Sequence, residues 1–145
     1  MAGNGSGRIV KNLLRLGASL QRQGDRLMKK HGLTQQQFVT LKEIQEKGPV
    51  TQKDVCSDLL LEKSNVSKIV SKLVSANLVR MKRSLKDGRA TLLVTTQKGE
   101  GVVNSGMEEF EAWNRRWLES LSSRDLKNAA HALEKLAAIK EPPGE

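Results

Sequence analysis

The strongest constraint on this chain is a helix-length apolar stripe followed directly by a basic hairpin. Between Glu62 and Ala76 the apolar residues Val66, Ile69, Val70 and Leu73 fall at i, i+3, i+4 and i+7, which is one face of a helix. Asn77 then occupies a position where a C-cap needs positive φ. Behind it, Leu78 to Arg83 and Ala90 to Thr95 read as two strands, separated by a turn containing Asp87-Gly88. Asp-Gly between two β-rich runs is a strong short-range hairpin signal.

The polar residues of this segment suggest its chemistry. The outward face of the helix carries Lys63, Ser64, Asn65, Ser67, Lys68, Ser71 and Lys72, with short hydrogen-bonding groups near its start and lysines along its side. A recognition helix has this composition, because its N-terminal side chains meet base edges in the major groove while flanking cations meet phosphates. The hairpin carries Lys82, Arg83, Lys86 and Arg89 against Asp87 alone. A basic hairpin after a recognition helix is a wing, able to reach a neighbouring backbone or minor groove. Taken singly, the helix could be an ordinary solvated amphipathic helix and the hairpin a solvated charged turn. Their order in the chain favours the winged reading.

The surrounding sequence reads as helices. From Arg8 to Lys30 the residues Ile9, Leu13, Leu16, Leu20 and Leu27 form one apolar stripe, ended by His31-Gly32. Thr34 with Gln37 has the form of a capping box, and Phe38, Leu41 and Ile44 follow on one face. Gly48-Pro49 ends that helix, and Thr51 to Asp54 resembles a second box before the inward-facing Val55, Cys56 and Leu59. A long helix is expected from Thr96 through Val103, Met107, Phe110, Trp113 and Trp117 toward Leu121. A last one begins at Ser122, shows Leu126, Ala129, Ala130, Leu133, Leu136 and Ala137 on one face, and stops before Pro142-Pro143. These terminal faces exceed what one small winged domain needs to cover, so a homodimer is expected. The reading is mainly α with a small β-hairpin wing: one domain over 1–145, a winged helix-turn-helix region at 34–95, and dimerisation helices at 8–32 and 97–140.

Composition narrows the partner. The 145 residues carry a formal net charge of +9, which favours a polyanion. Nucleic acid is preferred to membrane, since no apolar run is long enough to span a bilayer and the first residues lack the apolar stretch of a signal peptide. A cytoplasmic location and a double-stranded DNA partner are expected. Both tryptophans lie in the long helix after the hairpin, where core or interface roles suit them better than base stacking, which weakens an RNA or single-strand reading. His31 and His131 belong to no triad or metal-ligand spacing, and no glycine-rich phosphate loop follows a strand. Neither catalysis, a metal nor a cofactor is expected. The first helix carries Lys11, Arg15, Arg22, Arg26, Lys29 and Lys30 against Asp25, a bias that could serve flanking phosphates or be balanced in part by Glu108, Glu109, Glu111 and Glu119. Partial balance is the preferred expectation.

Several of these residues together resemble the multiple-antibiotic-resistance regulator (MarR) family of transcription regulators. The resemblance rests on Gly32-Leu33-Thr34 with Gln37, on Val55-Cys56 with Leu59, and on Leu73 followed by Asn77-Leu78-Val79-Arg80. It rests most on Asp87-Gly88-Arg89 followed by Thr96 and Gly99. Asn77 stands where the family usually has glycine, Cys56 where it has alanine, and Thr95 where leucine commonly precedes Thr96. The resemblance implies that Asp87 orients Arg89 for the minor groove, that the chain dimerises, and that a small-molecule effector releases the DNA. It also implies a thiol-switch alternative for Cys56, although the position reads as a small buried site with an inert thiol. From another class, a basic architectural protein that coats DNA without preference is the alternative function.

Overall fold

A computed structural model describes residues 5–59, 61–86 and 88–139 of the chain. Its elements are α1 (Ser6–Met28), a single 3-10 turn (Lys29–His31), α2 (Gln35–Lys47), α3 (Gln52–Leu59) and α4 (Lys63–Ser75), then the strands β1 (Val79–Arg83) and β2 (Thr91–Thr95), and finally α5 (Gln97–Trp117) and α6 (Ser123–Ala138). The mainly helical fold with one antiparallel hairpin is the one expected from the sequence. The chain divides into two compact units, residues 1–110 and 111–145, with the boundary inside α5.

In the first unit the core forms where the periodic apolar faces meet. Phe38, Leu41 and Ile44 of α2, Val55 of α3, and Val66, Val70 and Leu73 of α4 are buried together with Leu93 of β2 and Val103 of α5. Phe38 packs on Phe110 with ring centroids 5.3 Å apart. Gly106 makes room for that ring, since a methyl group there would collide with the Phe38 side chain. The buried Thr40 hydroxyl donates to the Gln36 carbonyl at 2.9 Å, so it carries no unmet polar group into the core.

Local chemistry sets the helix boundaries. The α-helical part of α1 stops at Met28 rather than Lys30, because Lys29–His31 tighten into a 3-10 turn before Gly32 adopts φ 72°. Leu33 N–H then donates to Met28 O and Gly32 N–H to Lys29 O, closing the helix by the paired bonds of a Schellman motif. At α2 the capping box is complete: Gln37 N–H donates to Thr34 Oγ1 at 3.1 Å, and Thr34 N–H to Gln37 Oε1 at 3.0 Å. Asp25 adds a contact from α1, accepting from Gln35 N–H at 2.8 Å. Thr51 Oγ1 accepts from Asp54 N–H at 3.1 Å, as expected for the start of α3.

One bond pair escaped the sequence reading. Val50 forms an isolated antiparallel bridge with Leu93, donating to its carbonyl at 3.1 Å and accepting from its N–H at 2.7 Å. A single extended residue after Gly48-Pro49 has no periodicity to reveal it.

In the second unit, α5 ends at Trp117 instead of continuing toward Leu121. Leu121 N–H closes a tight turn on Leu118 O at 3.0 Å, and the extended Ser122 caps α6 by accepting from Asp125 N–H at 3.1 Å. The competing N-cap ends one helix to begin the next. Trp113 and Trp117 stack at 5.3 Å, and α6 buries none of its residues.

The expected charge balance is partial. Lys30 Nζ and His31 Nε2 lie 2.8 and 3.1 Å from Glu109 Oε1, which also accepts from Ser105 Oγ at 3.4 Å. Desolvation pushes the Glu109 carboxyl upward, but hydrogen bonds from Lys30 and His31 outweigh it and hold the group below its ordinary value. A carboxyl depressed on folding stabilises above its unfolded value and loses that contribution as pH falls through the folded one. Glu109→Gln is therefore expected to lower stability in urea at pH 7, with the deficit fading as pH drops below the ordinary 4.5. A deficit that stays constant with pH would mean that packing, not charge, is what Glu109 supplies.

Candidate nucleic-acid interface

α4 turns one face to the core and the other to solvent. Val66, Ile69, Val70 and Leu73 are buried, while Lys63, Ser64, Asn65, Ser67, Lys68, Ser71 and Lys72 are all exposed. The helix starts at an extended Glu62 that makes no side-chain cap, and its first turn holds no acidic residue. Its N-terminal N–H groups and helix dipole therefore favour an anion at the end where the small polar side chains cluster. Asn65, Lys68 and Lys72 share a stripe by their spacing, but Lys72 lies about 10 Å along the axis from Asn65 at the helical rise. There it borders a surface hollow of about 480 Å³ with Asp25, Lys29 and Thr34, at the end where α1 gives way to α2.

The far end of α4 is closed by Asn77. With φ 61°, Asn77 takes the left-handed conformation the sequence predicted. Asn77 N–H donates to Val74 O and Leu78 N–H to Leu73 O, both at 3.0 Å, which completes a second Schellman closure. Asparagine serves here because it tolerates left-handed backbone better than other non-glycine residues. Lys98 Nζ donates to Ala76 O at 3.2 Å, placing a cation at the negative end of the helix. Sequence reasoning missed Lys98, since its partner is 22 residues away and only the fold brings them together.

The wing follows at once. β1 and β2 pair antiparallel from Val79↔Thr95 to Arg83↔Thr91, and Ser84 N–H continues the ladder to Ala90 O at 2.9 Å. Val79 is the only buried residue of β1, so the hairpin projects outward from its root. Arg80, Lys82, Arg83, Lys86 and Arg89 are exposed on it. Arg80 is a wing cation that sequence reasoning assigned to no DNA contact, although its place in the strand next to Val79 could have marked it. Asp87, expected to orient Arg89, lies outside the described residues.

Helix and wing are held in register by one hydroxyl. Thr96 Oγ1 donates to Asn77 O at 2.6 Å and accepts from Gly99 N–H at 3.0 Å, while Thr96 N–H donates to Leu78 O at 3.0 Å. Thr96 thus caps α5 and ties it to the junction of α4 with β1. Gly99 is required by the same contact, because a side chain there would run into the Leu78 carbonyl. Cys56 is half-buried against the core, less enclosed than its sequence position suggested.

Comparison with known proteins agrees with this geometry. Residues 31–90 match the model of the MarR family. The chain is 26% identical over 98 residues to the HTH-type transcriptional regulator BilQ of Clostridium symbiosum, covering 68% of each chain. It is 26% identical over 107 residues to the HTH-type transcriptional regulator MhqR of Bacillus subtilis, covering 74% of each. Among solved structures, Staphylococcus aureus MarR in complex with salicylate and kanamycin superposes with a TM-score of 0.82 at 16% identity, over 91% of this chain and 89% of that one. The S. aureus MepR–DNA complex gives 0.79 at 19% identity, over 88% and 96%. At these identities the structural matches establish the fold.

The close approach of Gly99 to Leu78 can be tested directly. Gly99→Ala is expected to destabilise the protein by about 1–3 kcal/mol in urea melts, since the group its methyl would meet is rigid backbone. Gly101→Ala, on the same helix with nothing within 4 Å of an added methyl, should be neutral or stabilising by up to about 1 kcal/mol. Equal effects at the two positions would refute the close approach.

Proposed function

We propose that this chain, whose residues 31–90 match the MarR family model, is a member of that family and a sequence-specific double-stranded DNA-binding regulator acting as a homodimeric repressor. The observation that carries the proposal is the coupling of an exposed hydroxyl- and lysine-bearing α4 face to a basic wing through Thr96. In this reading Ser64, Asn65 and Ser67 meet base edges, Lys63, Lys68, Ser71 and Lys72 meet phosphates, and Arg83, Lys86 and Arg89 extend the contact to the flanking minor groove, with Asp87 orienting Arg89. That the MepR structure is a DNA complex supports a fold able to do this.

Exposed apolar stripes support the dimer. On α1, Ile9, Leu13 and Leu16 are 40–49% exposed; on α6, Leu126, Leu133 and Leu136 are 39–48% exposed. A second copy covering such stripes would present two α4 helices to successive major grooves about one duplex turn apart, so the operator is a pseudo-palindrome. Blocking a promoter is the output.

A site for an effector lies between α1, α2 and the end of α3. A hollow of about 300 Å³ is lined by Gly17, Leu20, Gln21, Gln35, Gln36, Val39, Leu59 and Leu61. The lining suits a small, largely apolar molecule.

No helix among the described residues is long and apolar enough to cross a membrane. The alternative of an architectural protein without sequence preference is separated by salt titration. A duplex enriched from a random library by the protein should bind at least about 1000-fold more tightly than a shuffled one. On the enriched duplex Lys68→Ala should lower the salt slope by about 1, because one phosphate fewer is neutralised. Equal affinities and slopes on both duplexes would replace the regulator by the architectural protein. Light scattering should give twice the 16.0 kDa of one chain, and a monomer mass at micromolar concentration would remove the dimer.

A further inference from the structure

Leu85 is the most exposed large apolar residue among those described, at 104% of its reference area. It lies just beyond β1, where the wing turns back toward β2. Solvent-exposed leucines are common and most need no explanation. This one differs in its setting, because its exposed neighbours along the wing are Arg83, Lys86 and Arg89. The turn does not call for leucine either. Ser84 shapes it, donating its N–H to Ala90 O at 2.9 Å and accepting from Lys86 N–H at 3.3 Å. Full exposure means that the fold gains no burial from the side chain.

An exposed leucine flanked along the wing by exposed cations is poorly matched to an apolar protein surface, where those cations would lose water. It does match a duplex. The minor groove presents phosphates along its rims and stacked bases with apolar faces within, and apolar wedges such as leucine can enter between base steps there. We infer that Leu85 is a minor-groove wedge, which the wing drives against or between base steps while Arg83, Lys86 and Arg89 hold the flanking phosphates and groove. The inference rests on the regulator reading and adds to it a contact that the charged residues cannot supply. It also implies that steps which unstack easily, such as TA and CA, are preferred beneath the wing, a form of specificity that needs no base-edge hydrogen bond.

The test uses the full chain and a duplex of about 30 base pairs enriched from a random library by the unsubstituted protein, long enough for two half-sites one turn apart. Copies carry 2-aminopurine at successive positions. An apolar contact releases no counterions, so Leu85→Ala should weaken binding about tenfold without changing the salt slope. Lys86→Ala should lower that slope by about 1. A rise in 2-aminopurine fluorescence at the flanking steps on binding should appear with the unsubstituted chain and with Lys86→Ala, and vanish with Leu85→Ala. Unchanged affinity and fluorescence in Leu85→Ala, while the unsubstituted chain binds with its normal slope, overturns the wedge and leaves the regulator intact. Failure of the unsubstituted chain to enrich any duplex overturns both. A cationic hairpin with an apolar tip would also suit an anionic lipid surface. Binding to phosphatidylserine–phosphatidylcholine vesicles that falls in Leu85→Ala, with duplex binding unaffected, would assign the residue there and overturn the wedge. Because the side chain is fully exposed, the far-UV spectrum and urea midpoint of Leu85→Ala should equal those of the unsubstituted chain. A shifted midpoint would overturn the premise.

Discussion

A single threonine hydroxyl governs how the two basic elements are presented. Thr96 donates to the carbonyl of Asn77 and accepts from Gly99 N–H, so the end of α4, the root of the hairpin and the start of α5 share one hydrogen-bonded knot. Each partner is tied independently as well. Asn77 closes α4, Leu78 accepts from Thr96 N–H, and Gly99 lets the backbones approach. The angle between helix and wing is thereby set by backbone groups tied through one short, stiff side chain, so it is fixed before any partner binds. Val50 reinforces the arrangement from the other side, since its bridge to Leu93 ties the connection between α2 and α3 to β2.

The elements legible in the sequence were those with local signals. The α4 stripe, the capping box at Thr34, the left-handed Gly32 and Asn77, and the pairing of the hairpin all follow from residues close together in the chain. What stayed hidden depends on distance or on competition. The Val50 bridge and the Lys98 contact join segments that only the fold brings together. The end of α5 at Trp117 reflects two signals in conflict, a heptad-like apolar spacing that points onward and a Ser122 N-cap that prevails. For the candidate interface, the exposure of the chosen α4 residues follows from periodicity, whereas the hollow that Lys72 borders needed the fold, which brings residues of α1 and α2 beside it.

Charge is distributed with a similar division. Glu109 engages Lys30 and His31 near the end of α1, so part of the basic excess outside the wing is used within the fold. Lys47 is likewise held between Glu43 and Asp58, joining α2 to α3, and these hydrogen bonds raise its pKa. No ion pair is found for Lys63, Lys68 and Lys72 among the described residues, so α4 keeps its cations available for an outside anion.

The hairpin has two edges with different exposure. The bridge from Val50 occupies the outer edge of β2 at Leu93, whereas among the described residues β1 pairs with β2 alone. An uncovered strand edge is a template on which a second molecule can add its own strand. β1 reads Val-Arg-Met-Lys-Arg, and its like charges would face one another across any such pairing. The cations of the wing thus also act when no polyanion is near: they keep free molecules from joining edge to edge, and neutralising them would expose the protein to aggregation through this strand.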